Sequence, residues 1–284
     1  MYKQSLPGHV LSSFGQSFLQ SHVGHLFSLQ FLALRSFFYG SGNRKIDTQQ
    51  IISQIFNMGI MSLPLMIMVG TIFGTVLIIS ATSLVLKVGY GTSFGNIMVI
   101  AMVRELGPIF TGFLIAGRSG SSLATRIASM KVNNEIDALE TLGISHLRFL
   151  VMPALVGGIA AMIIANCFFC LSAIGAGFLV TKTLNFLMEG FIKVQLEWST
   201  YFASILSALT ATDFVMGLLK PFIFASIIIT NACYYGMRIR NDQRAVPVAT
   251  SQSVVSSFTF IVISDLLLSA AYIFGYMKSV KSVI

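Results

Sequence analysis

Charge is what this sequence has least of. Lys, Arg, Asp and Glu together make up 10% of its 284 positions, where a soluble globular domain carries about 25%. With 55% hydrophobic residues and a mean hydropathy of +0.82, the composition excludes a soluble domain. It describes an integral membrane chain with room for one membrane domain. The missing charges are missing in runs. None occurs between Asp47 and Lys87, from Phe149 to Val180, or from Pro221 to Met237, and Ala245–Tyr276 is broken only by Asp265. A bilayer crossing takes about 20 mostly apolar residues, so these runs and the segment around Arg104 make five candidate spans. Without period-2 alternation they read as helices and not as barrel strands. The expected spans are 59–86, 92–118, 149–180, 214–237 and 252–276.

Other absences remove whole classes of chemistry. There are three cysteines, Cys167, Cys170 and Cys233, all in apolar runs. Without a flanking βαβ pattern, "CFFC" reads as small membrane residues and not a redox pair. No GxxxxGK[ST] occurs, so the chain holds no ATP in a P-loop of its own. No HExxH occurs, and "GYGTSFG" at 89–95 lacks both dinucleotide-loop spacing and a preceding strand. "GRSG" at 117–120 has the look of an intramembrane serine protease motif. The four histidines, His9, His22, His25 and His146, all lie outside the later spans, which leaves Ser119 without a base. The reading is of a protein that is not an enzyme.

Basic residues set the topology. With a cytoplasmic N-terminus, the inside holds eleven: Lys3, Arg35, Arg44, Lys45, Arg118, Arg126, Lys131, Arg148, Arg238, Arg240 and Arg244. The outside holds Lys87, Lys182, Lys193, Lys278 and Lys281. Eleven against five follows the positive-inside rule. The net charge of +8 is therefore a topology signal, with no case for nucleic acid. Ahead of the first span, residues 9–38 mix apolar and polar positions at near-helical spacing, as in a helix lying in the interface. The outer segment Thr181–Thr212 carries Trp198 and Tyr201, expected as interfacial anchors, and "LNFLMEGFIKVQLEW", a candidate short surface helix. The GxxxG pairs Gly70/Gly74 and Gly91/Gly95 allow close helix approach. Internal packing is their first reading and a subunit interface the second.

Against this apolar background, "IAMVRELGPIF" stands out. Arg104 and Glu105 together oppose insertion by roughly 5–7 kcal/mol, while each surrounding large apolar residue returns about 0.3–0.6 kcal/mol. The helix inserts, but the charges need partners. Adjacent helix positions point about 100° apart, so the two do not face each other. Each is better matched by a charge on another helix, such as Arg104 with Asp265 and Glu105 with Lys220. Pro108 offers no N–H to the Arg104 carbonyl, so a kink at Gly107–Pro108 is expected to leave that carbonyl free beside the charges. Two readings stay open: a structural polar network, or the polar lining of a substrate path.

The stretch "GRSGSSLATRIASMKVNNEIDALETLGISHLRFLVMP" follows. "VNNEIDALETLGI" predicts a short helix capped by Asn133 or Asn134 and ended by Gly143. Glu135, Asp137 and Glu140 form its polar side, and Ile136, Leu139 and Leu142 its apolar side. An acidic helix suits an anionic membrane surface poorly, so a protein partner fits it better.

Here a resemblance appears. RELGP, then AGRxG, then MKVxxEIDALExLGI, in that order and spacing, closely resemble the signature of the MlaE-type permeases, the membrane subunits of Mla/Mce lipid ABC transporters. Weaker similarity runs from about Gln49 to the end. The resemblance implies an all-α integral membrane fold: an N-terminal interfacial helix (1–48), then a permease domain (49–284) of five spans with a short cytoplasmic coupling helix. It implies a homodimer in the inner membrane, between ABC ATPase subunits and an MCE-domain protein, with phospholipid as substrate. ATP and Mg²⁺ would then belong to the partner ATPase, and this chain would carry no cofactor or metal. By position, Arg104, Glu105, Lys220 and Asp265 resemble the family's polar membrane residues. Lys131, Glu135, Asp137, Leu139, Glu140 and Leu142 fall in its ATPase-coupling segment. The stretch "RNDQRAVPVATSQSVVSS" departs from the family, with Val248 and Gln252 where arginines are common. From the residues alone, an ion-coupled secondary transporter working through Glu105 and Asp265 remains an alternative, as does a structural scaffold.

Overall fold

The computed structural model describes residues 48–88, 94–144, 147–187, 198–239 and 242–281. The interfacial helix expected over 9–38 lies outside these residues, as do Gly91, His146 and 188–197 of the outer segment. Every regular element among the described residues is helical. Five helical stretches are long and apolar enough to cross a membrane: Thr48–Ala81, Val99–Val132, Phe149–Val180, Ala211–Met237 and Gln243–Gly275. The chain is an all-α, multi-pass membrane protein.

The spans match expectation in number and order and differ at their ends. The first begins with a helix over Thr48–Met58, passes a 3₁₀ turn at Ile60–Ser62 and continues as Leu63–Val88. Pro64 sits in the opening turn of that helix, where no N–H is needed. The second span runs on to Val132 and does not stop at 118. A widened π turn at Ala116–Gly120 takes up the glycines, and Ser121–Val132 carries the helix onward. Leu123, Ala124, Ile127 and Ala128 form its buried stripe, which is why a stretch that reads as a polar loop is helical.

Three apolar clusters hold the spans together. The central one takes Met66, Met102, Phe169, Phe224 and Ile261 from the five spans in turn. At the end rich in basic residues, Met58, Leu123, Ile127, Leu155 and Ile229 form a second. At the opposite end, Ile78, Met98 and Phe178 close on Tyr201 and Ile205 of the helix Trp198–Ala208. Tyr201 is fully buried there and donates to the Ile174 carbonyl at 3.1 Å. It packs in the core of this cluster, and burial pushes its phenol up to about 12.

The GxxxG pair of the first span is internal. A Cβ on Gly70 would strike Ser172 Oγ and the Phe169 carbonyl, and one on Gly74 the Ala173 carbonyl. The first and third helices therefore touch backbone to backbone. The third and fourth spans are the most enclosed, while the first and fifth turn Ile72, Val76, Val262 and Leu266 outward.

The short helix forms at Glu135–Thr141. Asn134 holds its N-cap position in the left-handed region, at φ 60°, with no side-chain cap bond. At the far end Gly143 adopts φ 73°. Its N–H bonds to Glu140 O at 3.0 Å, and Ile144 N–H to Leu139 O at 3.0 Å, the paired bonds of a Schellman stop. The apolar side divides: Ile136 is buried in the second cluster, whereas Leu142 lies beyond the helix end and is 74% exposed.

Replacing Gly74 with Val is expected to destabilise the fold by about 1–3 kcal/mol, the usual cost of overpacking. A lower thermal midpoint in detergent would show it. Unchanged stability with a loss of self-association would instead put Gly74 at a subunit interface.

Candidate functional site

Four of the charges picked out in the sequence lie in one connected cluster. Lys220, on the fourth span, is 1% exposed. Its Nζ donates to Glu105 Oε2 at 2.9 Å, to the Arg104 carbonyl at 2.9 Å and to Ser269 Oγ at 3.0 Å. Asp265 Oδ1 stands 2.8 Å away as an ion pair. An ammonium has three protons and here four oxygen neighbours, so one contact is held by charge alone. Ser269 Oγ also donates toward Glu105 Oε2 at 3.0 Å. The expected Glu105–Lys220 pair is present.

The expected Arg104–Asp265 pair is not. Arg104 turns toward the start of the fourth span and donates to Asp213 Oδ1 from Nε at 2.9 Å and from Nη2 at 2.5 Å. Asp213 Oδ2 accepts from Thr210 N at 2.9 Å and Thr210 Oγ1 at 2.6 Å, completing a capping box. The carboxylate is fully buried. It is a capping residue and a counterion at once, so Asp265 is left to Lys220. The guanidinium also lies over the Tyr272 ring, 4.5 Å from its centroid.

Asp213, Ser269 and Tyr272 were not anticipated, yet spacing carries a signal for each. Asp213 and Lys220 are seven residues apart on one helix, two turns along the same face. Asp265, Ser269 and Tyr272 follow at i, i+4 and i+7. "TATD" at 210–213 also has the form of a capping box.

At the proline the helix changes its hydrogen-bond pattern. Residues Val99–Leu106 form a π-helix, and Gly107 remains helical at φ −56°, ψ −59°. The widened turn absorbs Pro108, and the Arg104 carbonyl passes to Lys220. A Cβ on Gly107 would meet Cys170 Sγ at 2.8 Å, so only glycine fits before this proline. Pro221 repeats the pattern beside Lys220. It offers no N–H to Gly217 O, and Asn166 Nδ2 lies 3.5 Å from that carbonyl.

Arg104 and Tyr272 border an open cleft of about 820 Å³. Its other walls are mainly apolar, with Val99, Ile100, Met216, Ala271 and Ile273, and Thr210 and Thr212 add hydroxyls at one end. The cleft therefore offers a cation and a wide hydrocarbon surface together. The segment 131–142 is distant from it in the chain and lies at the other end of the second span. There Lys131 Nζ donates to Asp137 Oδ1 at 2.6 Å, and Glu135, Glu140 and Leu142 face outward.

An all-α membrane chain with paired charges buried across three spans belongs to the transport proteins more readily than to the enzymes. Comparison with known proteins is more specific. The family described as Permease MlaE matches residues 51–271, and the chain belongs to it. A probable ABC transporter permease protein of Rickettsia bellii is 32% identical over 78% of this chain and 82% of its own length. A probable ABC transporter permease protein, ycf63, of the alga Pyropia yezoensis is 29% identical over 79% and 82%. The chloroplastic protein TRIGALACTOSYLDIACYLGLYCEROL 1 of Arabidopsis thaliana is 26% identical over 84% of this chain and 65% of its own. The chain is a permease subunit of the ABC transporter class.

Lys220→Met is expected to destabilise the protein by about 3–5 kcal/mol, because it leaves Glu105 and Asp265 unpaired. Adding Glu105→Gln and Asp265→Asn should restore most of the loss. Denaturation of the purified variants in detergent checks both, and failure of the triple variant to recover would remove Lys220 from the role of shared counterion.

Proposed function

We propose that this chain is the membrane subunit of an ABC-type lipid transporter, with phospholipid as substrate. The observation that carries this reading is the cleft beside Arg104. An amphiphile needs one cation for its headgroup and apolar wall for its chains, and the cleft supplies both. Arg104, held by Asp213 and Tyr272, would orient the headgroup. Glu105, Lys220, Asp265 and Ser269, behind the cleft wall, would hold the second, fourth and fifth spans in register beside it. The Arabidopsis relative carries a glycerolipid in its name, which supports a lipid over a small polar solute.

In this reading residues 49–284 are the permease domain, and two copies assemble in the inner membrane with the N-terminus cytoplasmic. ATP and Mg²⁺ act on a partner ATPase docked at the short helix Glu135–Thr141, which carries Leu139, with Lys131 and Leu142 flanking it. An MCE-domain protein would receive or supply lipid on the outer side. Ile136 is rooted among residues of the second, third and fourth spans, so a push on this helix moves the walls of the bundle together. An ion-coupled transporter would need Glu105 and Asp265 free to titrate. Both are paired with Lys220, which favours fixed charges over carriers.

Arg104→Ala and Glu105→Ala are expected to cut lipid transfer in reconstituted vesicles at least about tenfold, a loss of roughly 1.4 kcal/mol or more, with smaller change in protein level. Parallel loss of protein and transfer would make the cluster structural. Asp137→Arg, or a double Ala change at Leu139 and Leu142, is expected to release the ATPase in co-purification while the dimer persists. An intact complex would remove the docking role.

A further inference from the structure

At the end of the bundle opposite the Arg104 cleft, two smaller clefts of about 290 and 320 Å³ adjoin. They share Gln54, Leu123 and Arg126, so they form one groove between the opening helix of the first span and the extension of the second. Arg118, Ser122 and Arg126 line it at i, i+4 and i+8, a single helix stripe. Gln54 and Asn57 face them from the first span, and among the described residues no carboxylate lines either cleft.

The two arginines are held differently. Arg118 Nη1 donates to Ser62 Oγ at 2.7 Å, and Ser62 is fully buried and donates on to the Met58 carbonyl. That bond fixes the guanidinium and leaves its other N–H groups unused among the described residues. Arg126 makes no hydrogen bond or ion pair among the described residues. A fixed and a free guanidinium, flanked by amide and hydroxyl donors, have the chemistry that recognises an oxyanion. Met61 and Phe149 line the groove and are exposed, which gives apolar surface suited to acyl chains.

We infer that this groove binds the phosphate of a lipid headgroup in the leaflet on the basic side of the bundle. It is a second station, separate from the Arg104 cleft. Arg104 and Arg118 are roughly 20 Å apart along the helix axis, so the two stations sit toward opposite faces of a hydrocarbon core about 30 Å thick. Assignment to the cytoplasmic leaflet rests on the orientation proposed above; the groove itself does not.

The test is native mass spectrometry of the full chain purified in non-ionic detergent, with dioleoyl phosphatidylglycerol, dioleoylglycerol or inorganic phosphate as probe. Phosphatidylglycerol retention is expected to fall on the order of tenfold in Arg118→Gln/Arg126→Gln and to recover in Arg118→Lys/Arg126→Lys. Dioleoylglycerol, which lacks the phosphate, should be retained weakly and equally by all. Arg126→Gln alone covers the case in which loss of the Ser62 bond unsettles the fold, and it should weaken phosphatidylglycerol selectively. Equal retention in wild type and both Gln variants overturns the inference. So does inorganic phosphate binding as tightly as the lipid and lost in the same variants, because a free-anion site needs no acyl surface. The readout is equilibrium binding without ATPase or turnover, so it stands whether or not the chain proves to move lipid.

Discussion

A buried ammonium with more oxygen neighbours than protons sets the register of this bundle. Lys220 comes from the fourth span, the Arg104 carbonyl and Glu105 from the second, and Asp265 and Ser269 from the fifth. An unpaired charge at this depth costs several kcal/mol, so sliding any of the three helices by one turn would strand a charge. Apolar packing alone could not enforce this. Leu, Ile and Val are nearly interchangeable in such a core, and lipid is as apolar as they are. The ionic contacts supply the specificity that hydrophobicity lacks inside a membrane.

The same chemistry explains the prolines. In lipid each backbone carbonyl must be satisfied within the protein, and a proline inside a helix removes one donor. Both prolines of this region, Pro108 and Pro221, lie within four residues of Lys220 or Arg104. Lys220 takes the carbonyl at Arg104 and Asn166 approaches the one at Gly217. The π-helical turn Val99–Leu106 widens the second span where it must meet the ammonium. Charge and helix irregularity are thus one feature, and neither would be stable at this depth without the other.

Much of this was legible in the sequence. Charge-free runs located the five spans, and the burial cost of Arg104 and Glu105 demanded partners on other helices. Glu105–Lys220 followed because Lys220 is the one basic residue in the fourth apolar stretch. Asp213 escaped because it stands at a helix start, where a carboxylate already has a local use as a cap. Reading it as a cap and a counterion together needs the three-dimensional approach of Arg104. The continuation of the second span to Val132 was hidden by its polar composition. Its hydroxyls bond back to the helix, with Thr125 Oγ1 on Ser121 O at 2.9 Å, and its apolar residues form a stripe too narrow to raise the mean hydropathy. The apolar side of the short helix fails at Leu142 because that residue is the C-cap beside the left-handed Gly143 and turns out to 74% exposure.

These features bear on how such a permease moves. The ionic cluster locks the second, fourth and fifth spans to one another, and the Gly70/Gly74 contact locks the first to the third. Sliding within either group would break charge pairs or drive backbone into backbone, so neither group deforms cheaply. The contacts between the groups are mostly apolar side chains, which tolerate small rigid rotations. Ile136 roots the short helix among residues of both groups, Leu123 and Ile229 in one and Leu155 in the other. A force applied to that helix therefore acts at the seam where the two blocks can rock. The same seam carries the groove of Gln54 and Asn57 facing Arg118 and Arg126, formed by one block on each side. Rocking at the short helix would widen or narrow that groove, so a bound headgroup there and a load on the helix would report on each other.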